Sequence, residues 1–166
     1  MTVIPTIESG DFSAQARLVH NWTEEAGDPI VVEGLRGSSR AFFLSKLINT
    51  QKRPVVIFTA DQNRGEALLE DLKYFFRYEK IKMKPCFFPA WELLPYEPLS
   101  PLNEISGERL DILNRLRTGE PLILVIPLEA GLQKVMPRLV LEKLILSIKR
   151  GMSLEREFLE ACLSEN

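Results

Sequence analysis

Residues 30–48 read IVVEGLRGSSRAFFLSKLI. An apolar run leads into a glycine- and serine-rich turn, and the turn leads into a run with helical spacing. This is the outline of a phosphate-binding loop, in which a strand delivers a tight turn onto a helix N-terminus. The working form of that loop is G-x-x-x-x-G-K-[ST]. Here Gly34 and Gly37 supply glycines and Ser38 continues the turn, but Ser39 stands where the second motif glycine belongs, Arg40 replaces the lysine and Ala41 replaces the hydroxyl residue. Each change has a consequence. A Cβ at Ser39 hinders close approach of backbone to phosphate. Arg40 spreads over a planar fork the charge that lysine holds as a point. Ala41 has no oxygen for Mg²⁺, and phosphoryl transfer depends on that ion's charge. Taken alone, these residues allow two readings: an ordinary strand–turn–helix whose glycines serve the turn, or a decayed nucleotide site.

Working outward, Asp28-Pro29 turns the chain into an expected first strand at 30–33. Before it, Leu18, Val19 and Trp22 share one helical face within 11–26, and His20 points away from that face. After the loop, a helix carries Phe42, Phe43, Leu44, Leu47 and Ile48. The run 55–59 is continuously apolar and β-branched, which predicts a strand covered on both faces. Asp61 is placed to cap the next helix, in which Leu68, Leu69, Leu72, Phe75 and Phe76 recur at helical spacing. A third strand is expected at 83–88. Pro89, Pro95, Pro98 and Pro101 then interrupt a stretch containing Trp91, Leu93, Leu94 and Tyr96. Proline excludes helix and central strand there, and the apolar side chains point to an ordered loop pinned to the body. Ser100-Pro101 reads as the start of a helix with Ile105, Leu110, Ile112, Leu113 and Leu116 on its buried face, ended by Gly119. The run 122–126 is the most hydrophobic strand and should be central. It ends without a carboxylate to serve a nucleotide's metal. A half-exposed strand is expected over 141–148, then a basic turn and a last helix from Ser153.

Strands alternating with helices predict an α/β fold with a mainly parallel sheet and helices on both faces, a degenerate nucleotide-binding type of module. Composition bounds the function. The 166 residues are 45% hydrophobic and 27% charged, an ordinary globular profile, and the net charge of −2 gives no global basic surface for nucleic acid. Cys86, Cys162 and His20 lack metal-ligand spacing, so no metal site is expected. No run approaches membrane-spanning length, and the first residues are not a signal peptide.

The stretch FPAWELLPYEPLSPLNEISGERLDILNRL, from Phe88, resembles a region of the bacterial transcription-repair coupling factors, the Mfd family. That family has an F-P-x-W-E-x-L-P-Y-[ED] block, then a serine-proline segment and an R-L-x-x-L helix. These are 88–97, Ser100-Pro101 and the helix from Arg109-Leu110 to Leu113. The continuation LILVIPLEAGLQKVMP is similar to the family's strand and turn. The same region is similar to the repair protein UvrB, but UvrB keeps an intact phosphate loop and an aromatic hairpin for which this sequence has no room after Phe88.

The resemblance implies a degenerate nucleotide-fold module over 1–126 and, over 127–166, the start of a small α/β module of the type that binds UvrA. It implies a non-catalytic role in recruiting UvrA to lesions where RNA polymerase has stalled, with a cytoplasmic location. ATP, Mg²⁺, RNA polymerase and double-stranded DNA would belong to other domains of the family, and no cofactor is expected here. By the family's pattern Lys134 and Arg150 face UvrA, and Leu154 takes the position of an apolar contact. The competing reading is a small NTPase or kinase with a variant loop, or a fragment of UvrB.

Overall fold

The computed structural model describes residues 17, 19, 21, 31–49, 54–91, 102–146, 148, 150–153, 155–157 and 160. The chain divides into two compact units, Met1–Gln133 and Lys134–Asn166.

The first unit is a mixed α/β fold. Its elements are α1 (Ser39–Ile48), β1 (Val55–Thr59), α2 (Gln62–Tyr78), β2 (Pro85–Phe87), α3 (Asn103–Arg117), β3 (Ile123–Pro127) and α4 (Leu128–Leu132). The strands form a three-stranded parallel sheet in the order β1–β3–β2. Ile123 of β3 is in register with Val55 on one side and Pro85 on the other. Parallel neighbours need crossover connections, which α2 and α3 supply. The run expected to be central is central: Leu122, Ile123, Leu124 and Val125 are all buried.

Alternation along β3 builds two cores. Ile123 and Val125 face Ala41 and Ile48 of α1 and Leu69, Leu72 and Phe76 of α2. Leu124 lies in the other cluster with Phe88, Ala90, Ile112 of α3 and Ala130 of α4. Leu72 is fully buried, and removing a side chain of that size from water contributes about 2 kcal/mol. Asp61 caps α2 as its position suggests, accepting a hydrogen bond from the Arg64 amide at 2.8 Å. Lys46 and Glu79 join the ends of α1 and α2 at 2.6 Å.

Several expectations are corrected. Residues 31–33 pair in no strand, and Val31 and Val32 are exposed; Ile30 lies outside the described residues. Apolar β-branched composition makes a strand only where a neighbour supplies the ladder. β1 is not covered on both faces: it is an edge strand among the described residues, and Val56 and Phe58 are 48% and 61% exposed, although Gly131 of α4 lies close to the Phe58 ring. The third strand is shorter than 83–88. Helix α3 starts from Leu102, which makes no side-chain cap; Ser100 and Pro101 lie outside the described residues. Leu110 is exposed on α3 while Arg109 is buried. Gly119 does close that helix, at φ +77° with its amide bonded to the Leu116 carbonyl.

In the second unit, α5 (Arg138–Leu144) occupies the first half of the run 141–148 expected as a strand. Pro137 fixes an extended entry and its carbonyl accepts from the Leu141 amide at 3.0 Å, which starts the helix. Arg138 and Glu142, one turn apart, pair at 3.0 Å. Gly151 turns the chain at φ +88°. Arg156, Glu157 and Glu160 are helical, within the expected last helix.

Candidate functional site

The loop before α1 keeps its glycine geometry. Gly34 and Gly37 sit at φ +83° and +53°, the left-handed region that favours glycine. What the turn does with its polar groups differs from an anion cradle. The Ser39 hydroxyl accepts from the Arg36 amide at 2.8 Å and donates to the Arg36 carbonyl at 2.7 Å. The amides of Ser39 and Arg40 bond to the carbonyls of Arg36 and Gly37. Arg40 turns its Nε onto the Leu35 carbonyl at 3.2 Å. Ser38 is the residue before α1 and makes no side-chain cap. Ala41 is fully buried in the first core cluster. The three amides, the hydroxyl and the guanidinium Nε are thus engaged within the turn, and the position of a metal-ligating hydroxyl is a core methyl. These residues do not fit a Mg²⁺-bound nucleotide. The end of β3 adds no nearby acid: Pro127 and Leu128 follow Ile126, and Glu129 lies beyond on α4, exposed.

A second cluster joins three segments of the first unit. Arg109 is 2% exposed, and its guanidinium lies over the Phe88 ring at 4.3 Å and over the Trp91 ring at 4.6 Å from the centroids. Its Nη1 donates to the Pro89 carbonyl at 2.6 Å and to Gln133 Oε1 at 3.2 Å. Gln133 Oε1 also accepts from the Trp91 amide at 2.8 Å, and Gln133 Nε2 donates to the Trp91 carbonyl at 3.3 Å. The Arg109 Nη2 is buried with no hydrogen-bond partner among the described residues. Desolvation holds its pKa below the ordinary arginine value. Sequence reading did not find this cluster, although a signal existed. Position 109 lies four residues after Ile105 and three before Ile112, on the stripe that buries α3. Trp91 is half-buried and held as described; Leu94 and Tyr96 lie outside the described residues.

On the other end of α3, Arg115 forks onto the Glu120 carboxylate at 2.8 and 2.9 Å and contacts Cys86 Sγ at 3.3 Å. The hydrogen bond from Arg115 lowers the Glu120 pKa, and the reciprocal bond raises that of Arg115.

Of the residues expected to meet a partner, Lys134 and Arg150 belong to the second unit and are exposed, and neither forms an ion pair with a described residue. Leu154 lies outside the described residues. Arg138 and Arg156 of the same unit are each paired with a glutamate one turn away. Leu139, Ile148, Met152 and Val135 are 73%, 61%, 52% and 51% exposed. Among the described residues no helix is long and apolar enough to cross a membrane.

No family model matches the chain. It is 31% identical over 137 residues, 81% of its length, to a transcription-repair-coupling factor of Myxococcus xanthus, covering 11% of that protein. It is 28% identical over 130 residues to the factor of Bacillus subtilis, which is 78% of this chain and 10% of that protein. With the factor of Escherichia coli the identity is 27% over 139 residues, 84% of this chain and 12% of the relative. The chain spans about a tenth of the length of these curated relatives.

Proposed function

The chain resembles a fragment of a transcription-repair-coupling factor, and from that premise we propose that it serves DNA repair as a non-catalytic recruiting segment that docks the excision-repair protein UvrA. The observation that carries the docking reading is the surface of the second unit. Lys134 and Arg150 are exposed without a described ion-pair partner, in a unit that also exposes Val135, Leu139, Ile148 and Met152. Unpaired cations beside apolar side chains can steer an acidic partner and then bury an anchor. The engagement of Ser39 and Arg40 within the turn and the buried Ala41 support a role without nucleotide chemistry. Leu154 stands as the third contact by its place in the sequence.

The experiment measures UvrA binding by the parent chain, Lys134→Glu, Arg150→Glu and the variant carrying both changes, with circular dichroism to verify folding. Reversing a cation that meets a desolvated carboxylate costs about 2 kcal/mol or more, which is roughly thirtyfold in Kd. Undiminished binding by the folded double variant would place the interface elsewhere.

A further inference from the structure

We propose that Arg109 and Gln133 form a conformational latch, which holds residues 88–91 in one arrangement against α3 while contributing little to the net stability of the fold. The Phe88 amide bonds to the Val125 carbonyl of β3, and beyond it two side chains take backbone groups of this segment. Arg109 takes the Pro89 carbonyl, and the Gln133 carboxamide takes both the amide and the carbonyl of Trp91, as a neighbouring strand would. Arg109 Nη1 bonds to Gln133 Oε1, so the two holders also hold each other. The contacts bridge sequence separations of 20, 24 and 42 residues. The Phe88 and Trp91 rings both lie against the guanidinium, at 4.3 and 4.6 Å from their centroids.

The energetics of the cation identify what this arrangement achieves. Arg109 has lost its water, and among the described residues no carboxylate neutralises it and Nη2 has no acceptor. Stacking on two rings and two hydrogen bonds offset a desolvation penalty that an apolar side chain would not incur. A buried cation placed this way returns little net stability. Its directional bonds instead discriminate among packings that two aromatic rings against an apolar helix would otherwise share. The competing roles for an arginine do not fit: a solvated surface cation and a contact for phosphate or an acidic partner both require exposure that this side chain lacks.

The test uses the full chain with Trp22→Phe, leaving Trp91 as the single indole. Arg109→Met keeps an apolar side chain of similar length but removes the charge and the donors. Acrylamide quenching of Trp91 should rise at least twofold and exchange of its amide at least tenfold. The urea midpoint should stay at or above that of the parent. Gln133→Ala should loosen Trp91 in the same way, and the double variant should add little beyond either change. Unchanged protection of Trp91 in Arg109→Met or in Gln133→Ala overturns the latch. A large fall in the midpoint of Arg109→Met, or its failure to fold, also overturns it, because Arg109 would then be an element of stability.

Discussion

Two glycines inside helices should respond to alanine with opposite signs. Helix-interior glycine lowers stability through backbone entropy, so Gly→Ala at an unstrained site stabilises by about 0.4–1 kcal/mol. Gly107 of α3 meets that condition: a Cβ there has nothing within 4 Å. Gly65 of α2 does not, although its amide makes a regular helical bond to the Asp61 carbonyl. A Cβ at Gly65 would lie 2.7 Å from Phe87 Cε2 and 2.9 Å from Thr59 Oγ1. Neither neighbour gives way cheaply. Phe87 packs against the first core cluster, and Thr59 is fixed by its hydroxyl's bond to the Asp61 carbonyl. Overpacking of this kind costs about 1–3 kcal/mol, which exceeds the entropic gain and leaves a net loss of about 1 kcal/mol. Gly107→Ala should therefore raise the urea midpoint and Gly65→Ala lower it, with a gap of about 2 kcal/mol when unfolding is followed by far-UV circular dichroism. Equal stabilisation by both would show that α2 moves off the sheet without cost and would refute the reasoning.

Asp61→Ala should destabilise the first unit by about 1 kcal/mol through loss of the cap on α2; Asp61→Asn should recover most of that in the same urea titration. The Glu120 carboxyl is held below its ordinary value of 4.5 by the bond from Arg115, so this pair stabilises the folded state above that value and the contribution is lost as pH falls through the lower folded-state value. Comparing urea midpoints of the parent and Glu120→Gln should show a difference near neutral pH that shrinks on acidification; a difference independent of pH would dismiss the ion pair as its source. Calorimetric titration with ATP and Mg²⁺ should give no micromolar binding, as expected of a loop whose Ser39 and Arg40 bond within the turn and whose Ala41 offers no metal ligand, and micromolar affinity would favour the variant-loop NTPase.

Features held within about one helical turn were legible from residue order. The cap at Asp61, the stop at Gly119, the left-handed glycines of the loop and the stripe of α2 all depend on neighbours a few positions away. The alternation of elements was legible too, and with it the parallel sheet, because parallel strands require long crossovers. The hydrophobic run at β3 could be placed centrally because a strand with both faces covered carries apolar residues at successive positions. Of the candidate site, the chemistry missing at Ser39, Arg40 and Ala41 was readable, while the use the loop makes of Ser39 and Arg40 was not.

Tertiary structure alone decided which apolar runs are covered. The same β-branched composition gives the buried β3, the half-exposed β1 and the unpaired residues 31–33, since burial and pairing depend on what lies alongside. It also decided the fate of Arg109. The sequence reading put Leu110 on the buried face, whereas the fold buries Arg109 and leaves Leu110 exposed. Only the convergence of Phe88, Pro89, Trp91 and Gln133, brought from 18 to 24 residues away along the chain, supplies the rings and acceptors that let the Arg109 guanidinium sit inside. A residue's own chemistry sets the cost of burial, whereas the groups that meet that cost come from distant sequence and exist only once the chain is folded.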